Sequence, residues 1–273
     1  MRFGKLGTPA GTHRYARSRS LRLTLLLPAL VALAACSSTV AAAPPGASPR
    51  PTPSNGTVFD KAIPASVSDI GFVNQSGAKV TLASLRGKTV VLTDFLTLCQ
   101  EICPLTSANF RAVTDAVAHA GLASKVELVE VTVDPQRDTP ARLAAYQKLF
   151  GARPNWEFLT GTPQQVKQLW GALGVAYGRV PEPKGPLPID WLTHKPLHYD
   201  VNHQDIVFVL GADGREKWLV DGTPNTSGKQ PPTTLKKFLD AQGLTNLAHP
   251  GNGSWSAADV EQALSYVTGH AIQ

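Results

Sequence analysis

Three runs of apolar and β-branched residues constrain the fold of this chain more than any other feature. They occupy residues 90–95 (VVLTDF), 126–133 (VELVEVTV) and 206–210 (IVFVL). Such runs are typical of strands that are buried on both faces of a sheet. A turn at Asp213-Gly214 predicts a further strand over 215–220, and a hairpin is predicted between 71–73 and 80–82.

Segments with helical periodicity lie between these strands. Apolar residues recur at helical spacing from Leu105 to Ala120, with Pro104 before them and Gly121 after them. Further helices are predicted to start at Thr139-Pro140, at Thr162-Pro163 and at Ser256, and a short one is predicted over 235–242, ended by Gly243. The alternation predicts an α/β fold with a central mixed sheet flanked by helices.

The folded domain is predicted over residues 66–243. Within it, residues 179–198 contain five prolines and no periodicity, and we expect them to form a long surface loop. Residues 244–273 are predicted to be a polar linker followed by an extra C-terminal helix.

The N-terminal residues 1–35 have the organisation of a secretory signal peptide. The basic segment 14–22 precedes an apolar run that is shorter than the roughly 20 residues of a membrane-spanning helix. This run ends in Leu33-Ala34-Ala35-Cys36, which resembles the lipobox of bacterial lipoproteins, in which the cysteine is diacylated. The alternative is an ordinary signal peptide that ends near a chance cysteine.

If Cys36 is lipidated, two acyl chains anchor the chain stably to a membrane. Residues 36–65 are rich in Ala, Pro, Ser, Gly and Thr, which predicts a flexible tether. These features together predict a domain held at the extracytoplasmic face of a bacterial cell membrane.

The positive charge of the chain belongs to its N-terminal segment. The formal net charge is +6, from 26 Lys and Arg against 20 Asp and Glu, and six of the cations precede residue 36, where no acid occurs. The remaining chain is therefore balanced, and its composition gives no argument for binding nucleic acid.

Two cysteines lie where a predicted buried strand meets the start of a helix. Cys99 and Cys103 form a C-x-x-x-C motif followed by Pro104. The start of a helix favours negative charge and therefore lowers the pKa of a nearby thiol. The spacing allows a disulfide or the binding of one ion. A purely structural disulfide is the alternative, although so short a loop restricts the unfolded chain little.

Two thiolates need a third ligand to hold and select a metal ion. The candidates are His194, His198 and His203, of which only His203 directly precedes a buried strand. It can therefore lie at the end of the sheet where the cysteines emerge. Two thiolates and an imidazole favour Cu(I), or Cu(II) in a thiolate-rich site, over hard cations, and zinc would usually take a fourth ligand.

From Phe72 to Leu239 the sequence resembles the Sco (SenC-like) family of copper chaperones for cytochrome oxidase assembly. The resemblance is carried by the C-x-x-x-C-P motif at 99–104, VDPQRDTP at 133–140, LTGT at 159–162 and VNH at 201–203. It implies a thioredoxin-like fold and copper ligation by Cys99, Cys103 and His203.

The same resemblance implies a partner and a role. The partner is cytochrome c oxidase subunit II or another copper protein, whose dinuclear copper site is metallated or reduced. The role is that of a metallochaperone rather than an enzyme, with a thiol-disulfide reductase activity left open.

The chain departs from the family pattern around the ligands. Asn202 stands where the family usually has Asp, Gln100-Glu101 stands where it has Pro-Asp, and residues 95–98 (FLTL) replace Phe-Gly-Tyr-Thr. These departures leave the ligands in place and concern affinity, redox potential and choice of client.

The segment 134–140 has two readings. The turn-forming DPQRDTP string predicts a helix cap in which Asp138 or Thr139 accepts the first backbone N–H groups. The alternative is that Asp134 supports the metal ligands through a hydrogen bond.

Two other functions could use the same fold. A thiol-disulfide oxidoreductase would carry C-x-x-C and a cis-proline, whereas this chain has a longer spacing and His203-Gln204-Asp205 at that place. A peroxiredoxin-like peroxidase would leave the second cysteine and the histidine without a role.

Overall fold

The computed structural model describes residues 51–151, 153–182, 184–249 and 254–273. All of these residues belong to one compact unit, Ala47–Gln273. The predicted signal peptide, Cys36 and the first part of the predicted tether lie outside the described residues. Within the described ranges, no helix has the length and the apolar character needed to cross a membrane.

A mixed sheet of eight strands forms the centre of this unit, and two further strands pair with each other beside it. In chain order the ten strands are β1 (Thr57–Ala62), β2 (Phe72–Asn74), β3 (Lys79–Val80), β4 (Thr89–Phe95), β5 (Val126–Thr132), β6 (Trp156–Thr160), β7 (Tyr177–Pro181), β8 (Tyr199–His203), β9 (Ile206–Leu210) and β10 (Arg215–Asp221). The large sheet has the order β1-β10-β9-β4-β5-β6-β2-β3, and β7 pairs with β8.

Strands β4 and β5 lie side by side in the middle of the sheet. They are parallel to each other, β5 is parallel to β6, and β4 is antiparallel to β9. Every residue of β4, β5 and β9 is buried, which confirms the three predicted buried strands. Because β4 and β9 run in opposite directions, the end of β4 and the start of β9 meet at one edge of the sheet.

The described residues also form seven α-helices. They are α1 (Ala65–Ser68), α2 (Cys103–His119), α3 (Pro140–Phe150), α4 (Pro163–Leu173), α5 (Thr233–Phe238), α6 (Ala241–Ala248) and α7 (Ala257–Thr268). Thr139 caps α3, Thr162 forms a capping box with Gln165, and Ser256 forms one with Asp259. The predicted helix starts are therefore confirmed. The hydroxyls of Thr139 and Thr162 each accept an otherwise free N–H, and the Asp259 carboxylate accepts the N–H of Ser256.

The C-terminal helix is part of the hydrophobic core. Helix α7 contacts α2, β4 and β9 and buries Val260, Ala263 and Leu264. The parallel β4-α2-β5 unit and the antiparallel β9-β10 pair followed by α7 form the two halves of a thioredoxin-like fold. The predicted fold class is thus confirmed.

Several segments differ from their sequence-based descriptions. Residues Thr57–Ala62, inside the predicted tether 36–65, form strand β1 and pair with β10. Helix α6 (Ala241–Ala248) extends into the predicted polar linker that begins at residue 244. The region 235–242 is not one helix ended by Gly243, because Asp240 caps a second helix, α6, by accepting the Gly243 N–H at 2.7 Å. The region 179–198 includes the end of β7 and a bridge between Ile189 and Pro196. A buried ion pair joins Asp190 of this region to Arg142 at 2.6 Å, so the segment is packed onto α3.

Candidate metal centre

Cys99, Cys103 and His203 lie together at one edge of the large sheet. One ligand atom from each lies within 4.8 Å of the others. Cys99 follows β4, Cys103 begins α2, and His203 ends β8 just before β9. The meeting of the β4 end with the β9 start brings them together, as the sequence predicted. His194 and His198 are exposed and do not belong to this group.

The Cys99 sulfur lies at the start of α2. Its Sγ accepts the backbone N–H of Ile102 at 3.4 Å and that of Cys103 at 3.3 Å. Burial raises the pKa of the Cys99 thiol, but hydrogen bonds with Cys103 and His203 and the positive charge of His203 outweigh burial and bring this pKa well below its ordinary value. The surroundings therefore favour a thiolate at Cys99.

The pKa of the Cys103 thiol is shifted in the opposite direction. Burial, together with the hydrogen bond to Cys99 and the negative charge of that sulfur, raises the pKa of Cys103 well above its ordinary value. Its Sγ lies 3.2 Å from Nε2 of His203. Without a metal, the pair therefore holds one thiolate and one thiol, and a bound cation would displace the remaining proton.

The His203 ring is held from its other side. Its side chain is 3% exposed, and Nδ1 lies 2.6 Å from Oδ2 of Asp94 and 2.9 Å from the carbonyl oxygen of Gln204. Burial lowers the pKa of His203, but the charge of Asp94 and the hydrogen bonds with Asp94 and Cys99 raise it well above its ordinary value. Nε2 is left facing the cysteines.

Asp94 is the main residue of the site that sequence reasoning missed. It lies within β4, is 1% exposed, and its Oδ1 accepts the backbone N–H of Ile206 at 3.3 Å. A signal was present, because a carboxylate inside an otherwise apolar strand needs a buried hydrogen-bond partner. The sequence did not identify that partner.

A second buried carboxylate lies nearby. Asp205 accepts a hydrogen bond from Oγ1 of Thr106 in α2, at 3.1 Å to Oδ1 and 3.2 Å to Oδ2. Burial and the charge of Asp94 raise the pKa of Asp205 well above its ordinary value. This bond connects the loop that follows His203 to the helix that begins with Cys103.

Asp134 contacts the strand that carries His203 rather than His203 itself. It forms an ion pair with Arg137 and accepts the Tyr199 hydroxyl at 3.1 Å. Arg137 also lies over the Tyr199 ring and donates to the Tyr199 carbonyl oxygen at 2.8 Å. Because Tyr199 begins β8, this group anchors that strand to the 133–140 motif. A supporting role of Asp134 toward the metal ligands stays a prediction.

Asp138 holds the segment before Cys99. Its carboxylate accepts the backbone N–H of Thr97 at 3.2 Å, and the hydroxyls of Thr97 and Thr132 each donate to it at 2.5 Å. Burial raises the pKa of Asp138 to about 6, with the hydrogen bonds from Thr132 and Thr97 opposing the shift. Thr139, not Asp138, provides the cap of α3.

Two of the three candidate ligands, Cys99 and His203, open onto a cleft. Its volume is about 410 Å³, and Glu101, Ile102, Asp200 and Asn202 line it together with Cys99 and His203. A partner molecule could reach the ligands through this cleft. The donors are two sulfurs and one imidazole nitrogen, a set that suits soft or borderline metals such as copper and suits hard cations poorly.

Comparison with known proteins identifies related sequences. The SCO1/SenC family matches residues 64–230. A putative copper-binding protein of Stutzerimonas stutzeri is 28% identical over 181 residues, which cover 66% of this chain and 78% of that protein. The SCO1 protein homolog of Bacillus subtilis is 30% identical over 157 residues, which cover 57% of this chain and 73% of that protein. The copper-bound ScoI structure of Bradyrhizobium japonicum aligns with 25% identity and a TM-score of 0.45, over 68% of this chain and 99% of that one.

Proposed function

Because the chain belongs to the SCO1/SenC family, we propose that it is a copper chaperone of the extracytoplasmic side of the membrane. It binds copper through Cys99, Cys103 and His203 and helps to assemble the dinuclear copper site of cytochrome c oxidase. A lipid on Cys36 anchors it, and subunit II of the oxidase is its partner. The observation that carries the proposal is the convergence of two sulfurs and one imidazole nitrogen within 4.8 Å in a buried site.

Each ligand has a distinct part in binding the copper cargo. The Cys99 thiolate, stabilised by two backbone N–H groups, lines the cleft and is a donor that need not lose a proton. Cys103 becomes the second donor when it loses its proton. His203 adds the third donor through Nε2, which makes the set more suitable for Cu(II) than two thiolates alone.

The cleft gives the cargo a route to a partner. Three protein donors leave room for a ligand from the client, so that copper can pass between the two proteins by exchange of ligands. The name of the Stutzerimonas stutzeri relative, a putative copper-binding protein, supports the copper part of the proposal.

The opposite pKa shifts of Cys99 and Cys103 also support reduction of a client disulfide by the same pair. The Cys99 thiolate would attack one sulfur of the client disulfide and form a mixed disulfide, releasing the other client sulfur as a thiolate. Cys103, after losing its proton, would then attack the Cys99 sulfur of this mixed disulfide. This step releases the second client sulfur, so the client gains two electrons and this chain ends with a Cys99–Cys103 disulfide.

Anaerobic titration of the reduced protein with Cu(I) and Cu(II) tests the copper site. We expect one copper per chain, and none in Cys99→Ser/Cys103→Ser. His203→Ala should lose the thiolate-to-Cu(II) charge-transfer absorption more completely than it loses Cu(I), because thiolates alone suit Cu(I) best. The matched control is His198→Ala, since His198 is exposed. A control that loses this absorption while His203→Ala keeps it would contradict the ligand assignment.

The role in oxidase assembly needs a separate test in cells. In cells that lack this chain, we expect oxidase subunit II to contain less copper, and we expect the wild-type chain but not the double cysteine variant to restore it. Unchanged copper content without the chain would contradict the role. Mixing purified proteins distinguishes the two routes, because copper delivery loads reduced subunit II, whereas thiol reduction acts on oxidised subunit II in the absence of copper.

A further inference from the structure

We infer that Asp94 is a positioning residue of the metal centre: it keeps the ring proton of His203 on Nδ1, presents Nε2 as the ligand atom, and favours Cu(II) over Cu(I). The first two parts follow from the geometry of the protein alone. The third rests on the proposed function, because it concerns the bound copper.

The position of the ring proton follows from the neighbours of Nδ1. This nitrogen lies 2.6 Å from the Asp94 carboxylate and 2.9 Å from the carbonyl oxygen of Gln204. Carboxylate and carbonyl oxygens accept hydrogen bonds and do not donate them, so Nδ1 must be the donor. In the neutral ring, Nε2 then keeps its lone pair, and this atom lies 3.2 Å from the Cys103 sulfur.

The orientation of the ring follows from how firmly Asp94 is held. Its backbone belongs to β4 in the middle of the sheet, and its second oxygen accepts the Ile206 N–H at 3.3 Å. The hydroxyl of the preceding residue, Thr93, donates to the Ile206 carbonyl oxygen at 2.9 Å. The carboxylate is therefore fixed by two strands at once. A ligand supported from a rigid element in this way is oriented more closely than one supported from a loop.

The preference for the oxidation state follows from charge. Two thiolates already place two negative charges at the copper, and Asp94 adds a third behind the imidazole. Its side chain is fully shielded from solvent, so this charge is weakly screened. A divalent ion balances more of the negative charge than a monovalent ion does. Loss of the Asp94 charge should therefore weaken Cu(II) binding more than Cu(I) binding.

The first test uses ¹⁵N NMR of the His203 ring in the reduced, metal-free protein, at a pH where the ring is neutral. We expect a proton on Nδ1 and none on Nε2. In Asp94→Asn, the amide has only one oxygen for both the Nδ1–H of His203 and the backbone N–H of Ile206. Its NH2 group can itself donate to Nδ1, so the ring proton should move toward Nε2. A wild-type ring with its proton on Nε2 overturns the inference, whether or not the variant folds.

A matched control is Glu130→Gln. Glu130 is also a fully buried carboxylate, but it bonds Ser107 and Trp156 and does not touch the ring. We expect this variant to keep the wild-type position of the His203 proton. A shift of the proton as large as that in Asp94→Asn would overturn the inference, since the effect would then follow from replacing any buried carboxyl group.

The second test measures Cu(II) and Cu(I) affinities by competition with chelators. In Asp94→Asn we expect Cu(II) affinity to fall at least tenfold more than Cu(I) affinity, equivalent to a rise of about 59 mV in the copper potential. Equal losses, or none, overturn the oxidation-state part. If the wild-type protein binds no copper, the proposed function fails, while the NMR test still decides the positioning role.

Discussion

Adding a methyl group at Gly243 tests how the C-terminal part of the chain holds the copper motif. Gly243 lies in α6, where a Cβ would overlap the carbonyl oxygen of Gln100 and lie 2.9 Å from Leu239 and 3.0 Å from Cα of Glu101. Two of these contacts are with backbone atoms, which cannot rotate away. The backbone N–H of Asp240, the residue that caps α6, donates to the same Gln100 carbonyl oxygen at 3.0 Å. This hydrogen bond connects the start of α6 to the copper motif.

Two opposing effects decide the sign of the change. Replacing glycine by alanine inside a helix stabilises by about 0.5–1 kcal/mol, whereas overpacking a close contact costs about 1–3 kcal/mol. Because backbone must move at Gly243, we expect the second effect to predominate and Gly243→Ala to lower the free energy of unfolding by ~1–2 kcal/mol. The segment that moves directly follows Cys99, so copper affinity should fall as well.

Urea unfolding and copper titration of the same variants provide the assay. The control is Gly171→Ala in α4, an exposed position with no atom within 4 Å of an added Cβ. It should gain about 0.5–1 kcal/mol from helix propensity alone and keep its copper affinity. If Gly243→Ala gains as much as the control and binds copper like the wild type, α6 does not hold the motif.

Two further predictions concern other parts of the chain. Burial raises the pKa of Glu130 from 4.5 to about 8, with hydrogen bonds from Ser107 and Trp156 opposing the shift. Between these two pH values, the folded chain therefore binds one more proton than the unfolded chain. As pH rises through this window, Glu130 lowers the free energy of unfolding. Glu130→Gln should become more stable relative to the wild type by a few kcal/mol from pH 5 to pH 8.5, and urea unfolding that shows the same pH slope in both proteins would contradict this assignment. If Cys36 carries the lipid anchor, Cys36→Ala should leave the membrane fraction or accumulate as uncleaved precursor, whereas intact-mass analysis showing an unmodified N-terminus beyond residue 36 would exclude the anchor.

Local patterns predicted the parts of the fold whose cause is local. The runs at 90–95 and 206–210 are strands because nearly every side chain in them suits a buried sheet, and Thr139 caps α3 because its hydroxyl accepts from Arg142 three residues later. The convergence of the cysteines with His203 was predictable for a related reason. Each lies next to a strand end that the sheet brings to the same edge.

The features that the sequence did not reveal depend on contacts between distant parts of the chain. Asp94 is recognisable as an acid in an apolar strand, but its partner is 109 residues away. Gly243 resembles a helix end when read alone. Its actual role depends on the close approach of Gln100, which no local pattern encodes.

X-ray absorption at the copper edge of the loaded protein is the most direct test of the proposed Cys99, Cys103 and His203 site. We expect two sulfur scatterers and one imidazole per copper in the wild-type protein, with the imidazole lost in His203→Ala and retained in His198→Ala. A spectrum without two sulfur scatterers, or an imidazole contribution that survives in His203→Ala, would contradict copper binding by these three residues.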